Sequence, residues 1–223
     1  MKAIAIDGPA GAGKSTLAKM LARELGCIYV DTGALYRAVG LKLLNKGVTC
    51  KDEAAVAEVL KNTTVTMRHQ NGEQQVLLDG TVVLGELRTP EVAQMASQCS
   101  ALPAVRAFLL EMQRSIAQNN FVVMDGRDIG TVVLPAASCK IFLTAPVKVR
   151  AKRRWLELTE KGQNVPLQQV EQDVAQRDYN DIHRAVAPLC KAPDAVLVDT
   201  GDLNLEQSLA LLLQTVQRQL QQN

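Results

Sequence analysis

The residues best equipped for chemistry stand together near the start of the chain. Gly8, Pro9, Ala10, Gly11, Ala12, Gly13, Lys14 and Ser15 fit G-x-x-x-x-G-K-[ST] in full, with Thr16 next. Glycines let backbone N–H groups turn inward around phosphate oxygens, and a helix starting at the loop's end adds its positive pole. Lys14 is then placed to reach the β and γ oxygens, and the Ser15 hydroxyl to meet magnesium. The pattern follows the apolar run Ala3–Asp7 and precedes Leu17, Met20, Leu21 and Leu25 at helical spacing, so it has the strand–loop–helix setting such a cradle needs. It implies an ATP-type nucleotide. A guanine nucleotide is not expected: Asn45-Lys46 continues into Gly47-Val48 without the Asp of N-K-x-D, and neither Asp125 nor Asp128 starts a D-x-x-G.

Two arginines follow apolar runs closely, Arg37 in Asp31-Thr-Gly-Ala-Leu-Tyr-Arg37 and Arg127 in Asp125-Gly-Arg127-Asp128. Ligands of open α/β sheets bind outside the carboxyl ends of the strands, so both are expected to face the glycine-rich loop. A fork-shaped guanidinium suits phosphate, and two of them opposite a nucleotide point to a second phosphorylated substrate. The competing reading is ion pairing with Asp31 or Asp128. Arg177, Asp181 and Arg184 recur at helical spacing, which fits either ligand contacts on one face or an intrahelical ion-pair ladder. Asp31-Thr32-Gly33 and Asp199-Thr200-Gly201 also resemble the paired D-T-G of aspartic proteases. Their place in an alternating strand–helix rhythm argues against a shared β-rich cleft.

These residues need a scaffold, and the apolar runs supply one. Buried strands are expected at 3–7, 27–30, 121–124, 139–143 and 195–198, alternating with helices such as 103–118, where Val105, Phe108, Leu109, Met112 and Ile116 share a face. The fold class is α/β, a five-stranded parallel sheet flanked by helices. The segment 63–84 breaks the rhythm: β-prone residues punctuated by Asn71-Gly72 and Asp79-Gly80 predict three antiparallel strands, followed by a helix over 90–97. A basic helix begins near Pro146, with a turn near Gly162 and a second helix after it; a last helix runs 203–220, with Asn204 and Gln207 as its capping box. The chain therefore divides into a core (1–62, 101–145 and 183–223), an insert (63–100) and a lid (146–182).

Composition narrows the partners. The chain has 223 residues, 47% hydrophobic, with 25 bases against 23 acids, a net charge of only +2. That is not the charge of a protein that coats nucleic acid. Aromatics make up 3%, too few for stacking platforms, so any base must be read by hydrogen bonds. Lys148, Arg150, Lys152, Arg153 and Arg154 spread around their helix without interleaved aromatics, which does not favour a polymer-binding patch. Cys27, Cys50, Cys99, Cys139 and Cys190 lie far apart, without C-x-x-C or metal-ligand spacing. Free thiols, no secretory signal and no membrane-length apolar stretch fit a cytoplasmic protein, and the absence of a long apolar surface stripe fits a monomer.

Taken together, IDGPAGAGKST, DTGALYR, LRTPEV, ALPAVR, MDGRDIGTVVLP, KIFLTAP, RAKRRWLE and RD-x-x-D-x-x-RAVAPL resemble, in order, the bacterial cytidylate kinases of the nucleoside monophosphate kinase group. Thr32 stands where some of that family carry Ser, which keeps the hydroxyl. The resemblance implies ATP and CMP or dCMP as substrates with Mg2+ as cofactor. It also implies that Thr32, Arg37 and Arg127 hold the monophosphate and that Arg184 lies near the transferring group. Ser97, Arg106 and Asp128 would read cytosine, and Arg177 and Asp181 would hold the sugar. The basic helix becomes a lid, with Arg150, Arg153, Arg154 and Lys161 as candidates to close over ATP. Ser15 is the implied magnesium ligand, with Asp125 as a second candidate. A kinase for UMP or another small metabolite, or a non-enzymatic ATP-gated module, are the alternatives.

Overall fold

The computed structural model describes residues 2–70 and 73–222. Its centre is a parallel sheet of five strands, β1 (Ala3–Asp7), β2 (Ile28–Asp31), β6 (Val122–Gly126), β7 (Cys139–Thr144) and β8 (Val196–Asp199), in the order β2-β6-β1-β7-β8. All five residues of β1 are buried, with Ala5 opposite Met124 of β6 and Lys140 of β7. A central parallel strand is covered on both faces, which is why its sequence is continuously apolar rather than alternating.

Side chains of β1 divide between two layers. Ile4 and Ile6 pack with Leu17 and Leu21 of α1 (Lys14–Glu24) and Leu212 and Val216 of α8 (Leu205–Gln222). Ala3 and Ala5 face the opposite layer with Val122, Met124 and Ala117, the last from α5 (Pro103–Asn119). Burying each Leu or Ile here contributes about 2 kcal/mol. Gly26, with φ +63°, ends α1 one residue after its C-cap, and Asn204 and Gln207 exchange side-chain-to-backbone bonds of 2.9 and 3.0 Å at the start of α8, the expected capping box.

The insert is a separate antiparallel sheet, β3 (Val65–Gln70), β4 (Glu73–Leu78) and β5 (Thr81–Val83). Asp79 and Gly80 both have positive φ at the β4–β5 turn, the backbone that their types favour; Asn71-Gly72 lies outside the described residues. The inner face of this sheet shares one core with α2 (Thr32–Asn45), α3 (Glu53–Lys61), α4 (Pro90–Cys99) and α5. The segment expected as a lid is a helix pair, α6 (Val147–Glu160) and α7 (Leu167–His183), joined through Gly162 at φ +73° and packed around Ala151, Val170 and Val174.

The strand order disposes of the protease reading. Asp31 ends β2 and Asp199 ends β8, at opposite edges of the five-stranded sheet, so the two carboxylates cannot share a proton. One residue later than β1, the chain turns under severe restriction: a Cβ on Gly8 would lie 1.9 Å from the Leu143 carbonyl oxygen. Gly13, the N-cap of α1, sits in the left-handed region at φ +84°, where an added Cβ would meet Leu17 Cδ1 at 3.9 Å, an ordinary contact without a clash. Gly13→Ala is therefore a test of backbone strain alone. A loss of about 1–2 kcal/mol is expected, read as a lower denaturant midpoint at unchanged slope.

Candidate functional site

The candidate site gathers at the carboxyl ends of β1, β2 and β6. Loop 8–13 leaves β1 and delivers Lys14 to the first turn of α1, where the side chain is 5% exposed and its Nζ donates to the Pro9 carbonyl at 2.7 Å. Burial first, then the neighbouring Arg127, push the Lys14 ammonium well below its ordinary pKa, against the attraction of Asp125. Ser15 and Thr16 are exposed on the same turn. The Ser15 hydroxyl donates to Asp125 Oδ2 at 2.9 Å and the Tyr29 hydroxyl to Oδ1 at 2.9 Å, while Thr32 Oγ1 donates to the Asp125 carbonyl at 2.7 Å. Asp125 thus joins the first turn of α1 and β2 through its buried carboxylate and α2 through its main-chain carbonyl. Burial and the nearby Asp31 raise its pKa to about 6, outweighing Lys14 and the two hydroxyl donors. It is an anion short of positive charge.

Asp7 ends β1 directly before the loop. Its two oxygens accept from the backbone N–H groups of Ile129 and Gly130, each at 2.7 Å, in the single π-turn Ile129–Val133 that follows Asp128. The loop and the Arg127–Asp128 segment are therefore fastened to each other at their roots. Burial raises the Asp7 pKa to about 6 despite these bonds.

The predicted acceptor residues converge, and each arginine but one has a carboxylate partner. Arg37 pairs with Asp31 at 2.7 Å, and Asp31 also caps α2 by accepting from Ala34 N at 3.0 Å. Arg127 Nε donates to Asp181 Oδ2 at 2.7 Å. Asp128, 5% exposed, lies between Arg106 on one oxygen and Arg184 on the other, the latter at 3.1 Å. Arg106 also donates to the Ser100 carbonyl at 3.2 Å and lies 5.9 Å from the centre of the Tyr36 ring. Ser97 is half-buried one turn earlier on α4 and offers its carbonyl to the Ser100 hydroxyl at 2.8 Å. Arg177 has no hydrogen-bond or ion-pair partner among the described residues. Its guanidinium pKa falls to about 10, through partial desolvation and then repulsion by Arg127.

Two pairings answer questions that spacing left open. Asp181 bonds Arg127 rather than Arg177, and Arg184 bonds Asp128, so α7 does not carry an intrahelical ladder. Arg37 does pair with Asp31, but at the mouth of the site rather than on a remote surface.

The cations of α6 and of the turn after it separate into different surroundings. Arg153 donates to the Thr200 hydroxyl at 3.2 Å and its carbonyl at 2.6 Å, beside the end of β8. Arg154 is exposed and pairs with Glu157 at 3.0 Å, and Lys161 is exposed. Arg150 is buried and fully engaged with protein atoms. Sequence reasoning undervalued Asp125 and passed over Tyr29 and Asp178. The available signal was a carboxylate ending each of two adjacent strands, Asp7 and Asp125, on either side of the loop.

Chemically, a glycine-rich loop bearing Lys14 adjoins a group of arginines balanced by carboxylates, an arrangement suited to holding two anions close together. Among the described residues, no helix is long and apolar enough to cross a membrane. A likeness to a solved structure of an uncharacterized protein from Eubacterium ventriosum, TM-score 0.52 at 12% identity, covers 97% of this chain and 99% of that one and concerns the fold alone. The cytidylate kinase of Caldicellulosiruptor saccharolyticus is 49% identical over 211 residues, 95% of this chain and 93% of that protein. The cytidylate kinase of Lactobacillus johnsonii is 46% identical over 215 residues, 96% and 94% of the two chains. The family model for cytidylate kinase matches residues 4–218, and with the loop, the insert and the arginine cluster in one molecule, the chain belongs to the cytidylate kinase family.

Proposed function

We propose that the protein transfers the γ-phosphoryl group of magnesium-bound ATP to CMP and dCMP, giving ADP and CDP or dCDP. The observation that carries this reading is the buried Arg106–Asp128–Arg184 array beside Arg127, at the same carboxyl end of the sheet as the loop that holds Lys14. A carboxylate there accepts from the 4-amino group of cytosine and repels the carbonyl that uracil carries at that position. Ser97 and Arg106 complete the base pocket, Thr32, Arg37 and Arg127 hold the monophosphate, and Arg177 and Asp181 hold the sugar. The loop from Gly8 to Gly13 with Lys14, Ser15 and Thr16 holds the triphosphate, and Arg153 and Arg154 approach it from the lid, with segment 63–100 bordering CMP. A single chain suffices as the working unit.

The acceptor oxygen of CMP is already anionic at neutral pH. Its bond to the γ-phosphorus forms as the bond to the β-bridging oxygen breaks, and no proton has to be removed. Catalysis then consists of alignment and charge neutralisation, which explains arginines and a lysine in place of a triad. Arg184 and Lys14 neutralise oxygens of the group in flight. Water exclusion by the lid strengthens each of these contacts and protects ATP from hydrolysis.

The donor set fits magnesium. The Ser15 hydroxyl lies 2.9 Å from a buried carboxylate whose pKa burial and Asp31 raise despite the nearby Lys14, and both are hard oxygen donors. When bound, the ion supplies charge neutralisation at the phosphate oxygens. A cation favours the ionised carboxyl, so the Asp125 titration midpoint, about 6 without ligand, is expected to fall below about 5 with magnesium and an ATP analogue. Carbon-13 NMR of the carboxyl reads this directly, and a midpoint left near 6 would place the metal elsewhere.

The function itself is tested by coupled ADP production with CMP, dCMP, UMP, AMP and no acceptor. CMP and dCMP should dominate. Equal rates without acceptor, or a preference for UMP, would overturn the assignment.

A further inference from the structure

The phosphate loop is gripped from outside by two helices that contribute nothing to its sequence pattern. Arg150, in the first turn of α6 and 4% exposed, donates from Nε to the Ala145 carbonyl at 2.7 Å and from one terminal nitrogen to the Ala10 carbonyl at 2.8 Å. The other terminal nitrogen pairs with Asp178 Oδ2 on α7 at 2.7 Å. The second Asp178 oxygen accepts from the Ala10 N–H at 3.3 Å. One ion pair therefore holds both polar backbone atoms of Ala10. The approach is close: a Cβ on Gly11 would lie 3.3 Å from the Arg150 Cβ and carbonyl oxygen. All three guanidinium nitrogens of Arg150 bond protein atoms, which fixes the loop.

The same helix reaches the acceptor side. Asp181, one turn after Asp178, holds Arg127, and Arg184, just past the end of α7, holds Asp128. A helix is a stiff connector, and this one has the donor loop at Asp178 and the acceptor arginines at Asp181 and Arg184. We infer that Arg150 and Asp178 are positioning residues that set the loop tip through Ala10, and that α7 makes binding of the triphosphate and the monophosphate interdependent. The inference deepens the proposed function and rests on it. A bound monophosphate competes with Asp181 for Arg127, and the resulting adjustment of α7 reaches Ala10 through Asp178. By linkage, a triphosphate in the loop acts back on CMP affinity by the same factor.

The test uses the full chain and Asp178→Asn, which keeps an acceptor for Ala10 but loses the ion pair. Calorimetry gives the CMP dissociation constant with and without a non-hydrolysable ATP analogue and magnesium. In the unaltered protein the analogue should change it about fivefold or more. In Asp178→Asn the factor should fall to within about twofold of unity, with the ATP KM raised about tenfold and kcat changed far less. A merely structural role would move CMP and ATP parameters together and leave the factor intact. A factor of one in the unaltered protein, or an unchanged factor or ATP KM in Asp178→Asn, overturns the inference. Should Asp178→Asn not fold, hydrogen exchange of the Ala10 amide in the unaltered chain decides: CMP alone should change its rate at least about threefold, and no change overturns the coupling. CMP-dependent ADP production by the same preparation separates failure of the coupling from failure of the proposed function.

Discussion

Lys14→Ala is expected to lower kcat/KM for phosphoryl transfer by at least about 3 kcal/mol, about two orders of magnitude, without unfolding the protein. On the proposed assignment the loss arises because the ammonium reaches oxygens whose charge changes in the transition state, and a cation as buried as Lys14 acts at low effective dielectric. Stability moves independently. Burial and Arg127 both disfavour the Lys14 charge in the folded chain, and its hydrogen bond is to the Pro9 carbonyl of its own loop. Removing a charge that the fold holds below its ordinary pKa does not weaken folding at neutral pH, so the melting temperature of Lys14→Ala should equal or exceed that of the parent. Steady-state kinetics and a thermal melt measure both halves. Near-normal turnover would remove Lys14 from the reaction, and a collapsed melting temperature would make its role structural.

Asp128→Asn should act on specificity and stability together. One carboxylate oxygen serves Arg106 and the other Arg184. An amide keeps one acceptor and turns a donor toward the remaining arginine, leaving a buried guanidinium facing an N–H. Breaking a buried pair in this way costs about 3–5 kcal/mol of stability. The base preference should change too, because an amide can accept from the cytosine amino group or donate to the uracil carbonyl. The ratio of kcat/KM for CMP over UMP is expected to narrow by at least about fivefold, the low end for loss of one discriminating base contact. An unchanged ratio would show that cytosine is read elsewhere, whatever happens to the melting temperature.

The outcome at α7 shows how far a sequence can be read. The spacing of positions 177, 181 and 184 predicted one helical face; α7 carries Arg177 and Asp181 but ends at His183, and Arg184 reaches Asp128 from extended backbone just beyond it. Partner choice was not legible, since the spacing suits an intrahelical ladder equally well. Arg150 illustrates the same limit. Its neighbours Arg153 and Arg154 have the same composition and helix, yet only Arg150 is buried against the loop. Which side of a helix meets the protein depends on how the lid pair docks, and the basic residues surround the helix without a bias that would reveal it. Asp125 was visible as a strand-end acid, but its contact with Ser15 spans 110 positions and requires β6 to lie beside β1.

The chain alone determined what depends on near neighbours. The strand–loop–helix cradle, the stop at Gly26, the Asp79-Gly80 turn, the capping box at Asn204 and the α/β class all rest on backbone preferences and hydrogen bonds within a few residues. Tertiary structure decided strand order, and with it the separation of Asp31 from Asp199 and the juxtaposition of Asp7 with the π-turn after Asp128. It also decided which carboxylate each arginine meets: Asp181 for Arg127, 54 positions away, and Asp128 for both Arg106 and Arg184. The physical reason is that a charge has no directional code in sequence. Any arginine can pair with any carboxylate, and only the folded geometry, with burial raising the cost of an unmatched charge, selects among them.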